Sequence, residues 1–147
     1  MYEIIENCTV VITTFYSGDK LESCIKNIPK IFKILIIDNG GEKKNKDYYE
    51  QKYSNLTYHV SDTNLGVPRS YSLANKLVKT KYVLFMDLDT ILLKNIDKYL
   101  RKLHKDSIDV IFSWRRFNHQ WVNTGVLIVK KNKKTVDLFD EYEKNML

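Results

Sequence analysis

Tyr82-Val-Leu-Phe-Met-Asp87-Leu-Asp89-Thr90 is an apolar run that ends abruptly on two carboxylates separated by one residue. Five apolar positions in a row, without polar alternation, suit a strand covered on both faces, as strands between two helical layers are. Two hard oxygen ligands so close together suit a divalent cation that also meets diphosphate oxygens, provided the chain breaks there and turns both side chains toward one ligand. Taken alone, an Asp-x-Asp more often caps a turn, because Asp is common in loops.

Working outward, five further runs rich in β-branched or aromatic residues predict strands: Cys8 to Thr14, Lys33 to Asp38, Leu56 to Val60, Asp109 to Ser113 and Gly125 to Val129. Helical spacing separates them. Leu21, Cys24, Ile25 and Ile28 follow the i, i+3, i+4, i+7 rule, with Asp19 and Glu22 resembling a capping box and Pro29 as the stop. Ile96, Tyr99, Leu100 and Leu103 repeat the pattern. A helix opening at Pro68 buries Tyr71, Ala74 and Val78, and one from Lys133 to Asn145 aligns Val136, Phe139 and Tyr142. Glu42 to Lys46 reads as a charged loop.

Strands alternating with helices predict a three-layer α/β/α sandwich on a mostly parallel sheet, with the ligand site beyond the carboxyl ends of the strands. The residues there are polar: Thr13-Thr14-Phe15-Tyr16 after the first strand, Asp38-Asn39-Gly40-Gly41 after the second and Asp87-Leu88-Asp89-Thr90 after the fourth. At 147 residues, with no repeat and no Pro/Gly-rich linker, residues 1–147 are expected to form a single domain.

Charged residues are 29% and apolar residues 44% of the chain, an ordinary globular balance. The net charge of +6 comes from 24 Lys and Arg, only four of them Arg, against 18 Asp and Glu. That excess reads as a solvated Lys-rich surface, and as attraction to anionic ligands. With no Cys/His zinc pattern and no aromatic-basic RNA motif, nucleic acid is not an expected partner. Cys8 and Cys24 both fall on apolar faces and read as reduced core residues, which suggests a cytoplasmic protein. No apolar run reaches the ~18 residues of a membrane span, so no integral membrane segment is expected, while peripheral association stays open.

In order along the chain, Val10-Val-Ile-Thr-Thr-Phe-Tyr16, Ile34-Leu-Ile-Ile-Asp-Asn-Gly-Gly41, Asn64-Leu-Gly66 and the Asp87-Leu-Asp89 strand resemble the glycosyltransferase-A superfamily, most closely the family 2 glycosyltransferases, over about Cys8 to Val129. The resemblance implies transfer of a sugar from a nucleotide-diphosphate sugar, with uridine the commonest base, to a glycan or other hydroxyl acceptor. It implies Thr13, Thr14 and Phe15 around the base and ribose, and Asp38 accepting a ring N–H of the base. Asn64 would turn the chain under the nucleotide. Asp87 would meet the ribose or share the metal, Mn2+ or Mg2+, with Asp89. The family usually carries Arg-Asn where this chain has Tyr71-Ser72, which leaves Arg69 as the candidate for the diphosphate. Trp114, Trp121 and Asn123 resemble the acceptor region, with Arg115 and Arg116 as holders of acidic acceptor groups; His119 reads as structural. Core packing and a solvated basic turn are the competing readings there.

One departure is large. Family 2 enzymes usually place a Glu-Asp pair on a later helix, one member serving as base. The nearest candidate here, Asp140-Glu141, reads as an ordinary polar helix face, so no catalytic residue is assigned. A nucleotide-sugar-binding domain without turnover, or a piece of a larger transferase, is the alternative reading. A dinucleotide-binding fold is disfavoured, because the first strand is followed by one glycine, Gly18, rather than a Gly-rich turn.

Overall fold

The computed structural model describes residues 3–41, 43–92, 96–116 and 120–145, with 114–116 and 120–124 in backbone only. The order along the chain is α1 (Glu3–Glu6), β1 (Cys8–Thr14), α2 (Asp19–Lys26), β2 (Lys33–Asp38), α3 (Lys43–Lys52), β3 (Leu56–Val60), α4 (Gly66–Leu77), β4 (Tyr82–Met86), α5 (Asp97–Lys105), β5 (Val110–Arg116), β6 (Gln120–Lys130) and α6 (Lys133–Asn145). The strands form one sheet in the order β3-β2-β1-β4-β6-β5. The first four run parallel, and β6 lies antiparallel between β4 and β5.

The unbroken apolar runs have a direct structural cause. Successive strand side chains point to opposite faces, so a sheet covered twice needs apolar residues at every position. Val10, Ile12, Ile34, Ile36, Leu84 and Met86 face one core, with Leu21, Cys24 and Ile25 of α2 and Leu100 and Leu103 of α5. Val11, Leu35, Ile37, Val83 and Phe85 face the other, with Tyr71 and Ala74 of α4 and Phe139 of α6. Val83, Leu84 and Phe85 are completely buried. Each such side chain stabilises the fold by roughly 1.5–3 kcal/mol. The three-layer sandwich predicted from sequence is the observed architecture.

Three expectations are corrected. The stretch taken as a charged loop enters helix α3, whose sole buried side chain is Tyr49. With one apolar anchor it shows no periodic stripe. What holds it is polar and aromatic: Lys46 pairs with Glu50 at 2.6 Å one turn on, and the Tyr49 ring stacks at 5.7 Å on Tyr58 of β3. The capping box on α2 does not form. Gly18 is the N-cap, without a side-chain hydrogen bond, and Glu22 instead faces α3, where it accepts from Lys52 Nζ at 2.8 Å and Tyr53 Oη at 2.8 Å. Finally, β5 and β6 extend well past their predicted ends, because their antiparallel pairing continues to Arg116↔Gln120.

β3 is an edge strand, and its exposed backbone is occupied by α3. Tyr58 N–H donates to Glu50 Oε1 at 2.7 Å, and Lys46 Nζ donates to Tyr58 C=O at 2.9 Å. Side chains thus take the groups that would otherwise template a further strand.

Candidate active site at the carboxyl edge of the sheet

β2, β1 and β4 are neighbours in the sheet, so the polar segments that follow them gather along one edge. The register fixes how closely. Thr14 lies opposite Asp38, and Ile12 lies opposite Met86, the residue before Asp87.

At the end of β2, Asp38 is 2% exposed and rigidly held. Its Oδ2 accepts the Tyr58 hydroxyl at 2.5 Å, and its Oδ1 accepts Gly40 N–H at 3.2 Å. Gly41 is required beside it, since a Cβ there would lie 1.4 Å from Asp38 Oδ2. Gly40 serves a different close approach: a Cβ at that position would come 2.7 Å from the Phe15 ring. Phe15 is half-exposed and makes an edge contact with Tyr16, ring centres 4.5 Å apart, and Tyr16 has a left-handed φ of 50°. The strain at Tyr16 turns the chain sharply off β1, leaving two aromatic rings over the Asp38 glycines.

Thr13 is half-buried and Thr14 buried. Thr14 C=O accepts Asn39 N–H at 2.8 Å, tying the ends of β1 and β2, while Thr14 Oγ1 is buried without a partner among the described residues. Asn39, which the sequence reading passed over, is an organising residue. Its Nδ2 donates to Ser70 Oγ at 2.9 Å, and its Oδ1 accepts Leu65 N–H at 3.4 Å. Asn64 Oδ1 accepts Gly66 N–H at 3.0 Å, and Ser70 Oγ donates to Gly66 C=O at 2.6 Å. The Asn64-Leu-Gly66 segment is therefore folded under the end of β2, as an Asx-type turn leading into α4.

At the end of β4 the chain does break. Asp87 N–H donates to Gly125 C=O of β6 at 2.9 Å, and Thr90 N–H closes a turn on Asp87 C=O at 3.0 Å. Asp87 and Asp89 both open to solvent from this turn. Desolvation against the sheet, and then the charge of Asp89, hold the Asp87 carboxyl above the ordinary carboxylate range. Two neighbouring carboxylates suit a divalent cation. Among the described residues no group of three or more His, Cys, Asp or Glu converges.

A cavity of about 550 Å³ opens beside Asp38, lined by Tyr16, Asp19, Gly41, Asn45 and Tyr49 among others. A second, of about 340 Å³, contains Asp89 with Cys24 and Thr90. The first turn of α2 separates them, and Asp19 lines both. Of the predicted nucleotide residues, Asp38 is the one at the first cavity wall. Arg69 is half-buried on α4. Two residues along a helix lie about 200° apart, so Arg69 projects away from the side occupied by Tyr71, which stacks on Phe85 at 4.4 Å. Tyr71 and Ser72 are both buried, and Ser72 Oγ donates to Asp140 Oδ1 at 2.8 Å. Asp140 also pairs with Lys76 at 2.7 Å, so it joins α4 to α6. The backbone pairs Ser113 with Asn123 and Arg115 with Trp121 across β5 and β6. The side chains of Trp114, Arg115, Arg116, Trp121 and Asn123 lie outside the described residues, as does all of His119.

A mostly parallel sheet of this order, with the Asp-x-Asp turn at the carboxyl end of β4, defines a glycosyltransferase-A fold. Solved structures agree. The chain aligns with the glycosyltransferase GlyE of Streptococcus pneumoniae at TM-score 0.68 and 14% identity, covering 94% of this chain and 38% of that one. It aligns with the mannosyltransferase PcManGT of Pyrobaculum calidifontis, solved with GDP-Man and Mn2+, at TM-score 0.70 and 13% identity, over 90% of this chain and 46% of that one. Residues 9–144 match the glycosyl transferase family 2, and the chain belongs to that family. An uncharacterised glycosyltransferase of Methanocaldococcus jannaschii is 29% identical over 92% of this chain and 49% of its own length. Another, of Mycoplasma genitalium, is 30% identical over 74% of this chain and 43% of its own length. The chain thus spans about half the length of these relatives or less.

Proposed function

We propose that this chain binds a uridine-diphosphate sugar together with Mn2+ or Mg2+ and moves the sugar to a glycan or other hydroxyl acceptor. The observation that carries the reading is the placement of three carboxylates at one sheet edge: Asp38 buried at the end of β2, and Asp87 and Asp89 in the turn that ends β4. Asp38 receives a ring N–H of the base. Thr13, Thr14 and Phe15 flank base and ribose. Asn64 holds the turn beneath them, and Arg69 remains the candidate contact for the diphosphate. Asp89, with Asp87, holds the cation, which when bound neutralises the charge that develops on the departing diphosphate. Trp114, Trp121 and Asn123 belong to the acceptor side. The protein is proposed to act as one domain in the cytoplasm, on a donor and an acceptor rather than on nucleic acid. In the structure no described helix is long and apolar enough to cross a membrane.

A second reading has its own observation. Asp140, the nearest candidate base in sequence, is engaged by Lys76 and Ser72 as a helix-to-helix tie. A domain that binds the donor without turning it over is compatible with that arrangement. Measuring sugar transfer and donor hydrolysis side by side distinguishes the two.

The test of the donor site is calorimetric titration with UDP, GDP and dTDP, each with manganese and then with excess chelator. Asp89→Ala is expected to weaken manganese-dependent UDP binding roughly 100-fold, about 2.8 kcal/mol. Equal UDP affinity in Asp89→Ala and the parent, with manganese present, would sink the metal assignment.

A further inference from the structure

Beneath the base-binding carboxylate lies a hydrogen-bond chain that the sequence reading did not contain. Tyr58 was read as one more apolar strand residue. In the fold its ring is 2% exposed and stacks on Tyr49 of the cavity wall at 5.7 Å, nearly parallel at 5°. Its hydroxyl donates to Asp38 Oδ2 at 2.5 Å. Asp38 Oδ1 in turn accepts Gly40 N–H at 3.2 Å, which completes the chain. Burial first, and then the Asp38 bond, raise the Tyr58 phenol far above its ordinary range, so it stays a donor at any working pH. The direction of the bond is therefore fixed: Tyr58 hydroxyl to Asp38.

This fixes what Asp38 can offer a ligand. Oδ2 carries a short bond to a buried hydroxyl. Oδ1 carries the longer bond from Gly40 N–H at 3.2 Å and keeps acceptor capacity. Nucleobases differ in what they present to such a single oxygen. Uracil and thymine offer one N–H between two carbonyls. Guanine offers two adjacent donors, a ring N–H and an amine, which a carboxylate satisfies only with both oxygens. Adenine and cytosine put a ring nitrogen lone pair against the carboxylate beside their amine.

We infer that Tyr58 is a specificity-determining positioning residue: by occupying Asp38 Oδ2 it makes the site a one-oxygen acceptor that selects a uracil-type base over guanine. The inference rests on the nucleotide-sugar reading above and adds the source of base choice. Guanine in this site leaves one buried donor unpaired, which corresponds to roughly a ten- to hundred-fold preference for uracil.

The experiment is titration of the intact chain with UDP and with GDP, both with manganese, for the parent and Tyr58→Phe. Tyr58→Phe keeps the ring and its stacking and removes only the hydroxyl, freeing Oδ2. The UDP-to-GDP affinity ratio is expected to fall about ten-fold in Tyr58→Phe, with GDP binding holding or improving. General loosening of the fold lowers both affinities together and leaves the ratio alone. A parent that prefers UDP and a Tyr58→Phe variant with an unchanged ratio would overturn the role of Tyr58 while keeping the transferase reading. A parent that prefers GDP would do the same. A parent that binds neither nucleotide would overturn both.

Discussion

At the residue scale, the site depends on two glycines whose reasons differ, and the difference is testable. Gly41 is needed because the Asp38 carboxylate fills the space where its side chain would be. Gly41→Ala must push Asp38 off both Tyr58 and Gly40 N–H. It is expected to cost about 1–3 kcal/mol in urea unfolding, the usual range for overpacking a filled site, and to weaken UDP binding in the same protein. Parent-like stability and affinity in Gly41→Ala would show that Asp38 is free to move, against the rigid site described above. What was legible at this scale follows chemistry that a sequence displays directly. Asp38, Asp87 and Asp89 stand out because an acidic residue interrupts an apolar run at the point where a strand must end. Asn39, Ser70 and Tyr58 do not stand out, because their meaning lies in partners 20 to 31 residues away that only the register brings near. Asp140 shows the converse: its polar surroundings on the helix were visible, whereas its partners Ser72 and Lys76 on α4 were not.

At the element scale, β1, β2 and β4 were readable to the residue because burial on both faces erases polar positions, leaving sharp ends. Helix α3 was unreadable for the opposite reason, since a helix with one buried residue carries no stripe. Its attachment is instead a cluster centred on Glu22 of α2. Hydrogen bonding from Lys52, and further bonds from Tyr53 and Lys26, hold the Glu22 carboxyl below its ordinary range. The sign of the consequence follows from linkage. A carboxylate whose folded pKa is depressed contributes stability above its unfolded value, near pH 4.3 by its ordinary range of about 4.3, and loses it as pH falls through the folded value. Glu22→Gln is therefore expected to melt below the parent at neutral pH, with the gap closing once the pH drops under about 4. Thermal melts across that range measure it. A gap of equal size at both ends would assign the effect of the substitution to packing rather than to charge. Because Glu22 and Tyr49 also line the cavity beside Asp38, the loosening of α3 should appear in UDP affinity as well.

At the scale of the whole molecule, the sheet divides structural work from chemical work, and binding must couple the two. The strands are buried over most of their length, yet their carboxyl edge carries two exposed neighbouring carboxylates, Asp87 and Asp89. These groups are better satisfied with a ligand than without one, and they exist as a cluster only in the folded chain. Nucleotide and metal together should therefore stabilise the native state by mass action, by about 2.7 kcal/mol at a nucleotide concentration 100-fold above its dissociation constant. For a chain of this size that corresponds to a rise in Tm of roughly 5–10 °C. The metal-dependent share of the rise enters through Asp89, so it should vanish in Asp89→Ala while a smaller rise with UDP and chelator persists through Asp38. Differential scanning calorimetry of parent and variant, with UDP and manganese added separately and together, reads both shares. A rise that is the same with manganese or chelator would remove the cation from the donor site. A rise with manganese alone, undiminished in Asp89→Ala, would place the ion elsewhere on the protein. A rise that needs both ligands and Asp89 joins the ends of β2 and β4 into one site, which the sheet order brings within a single strand of each other.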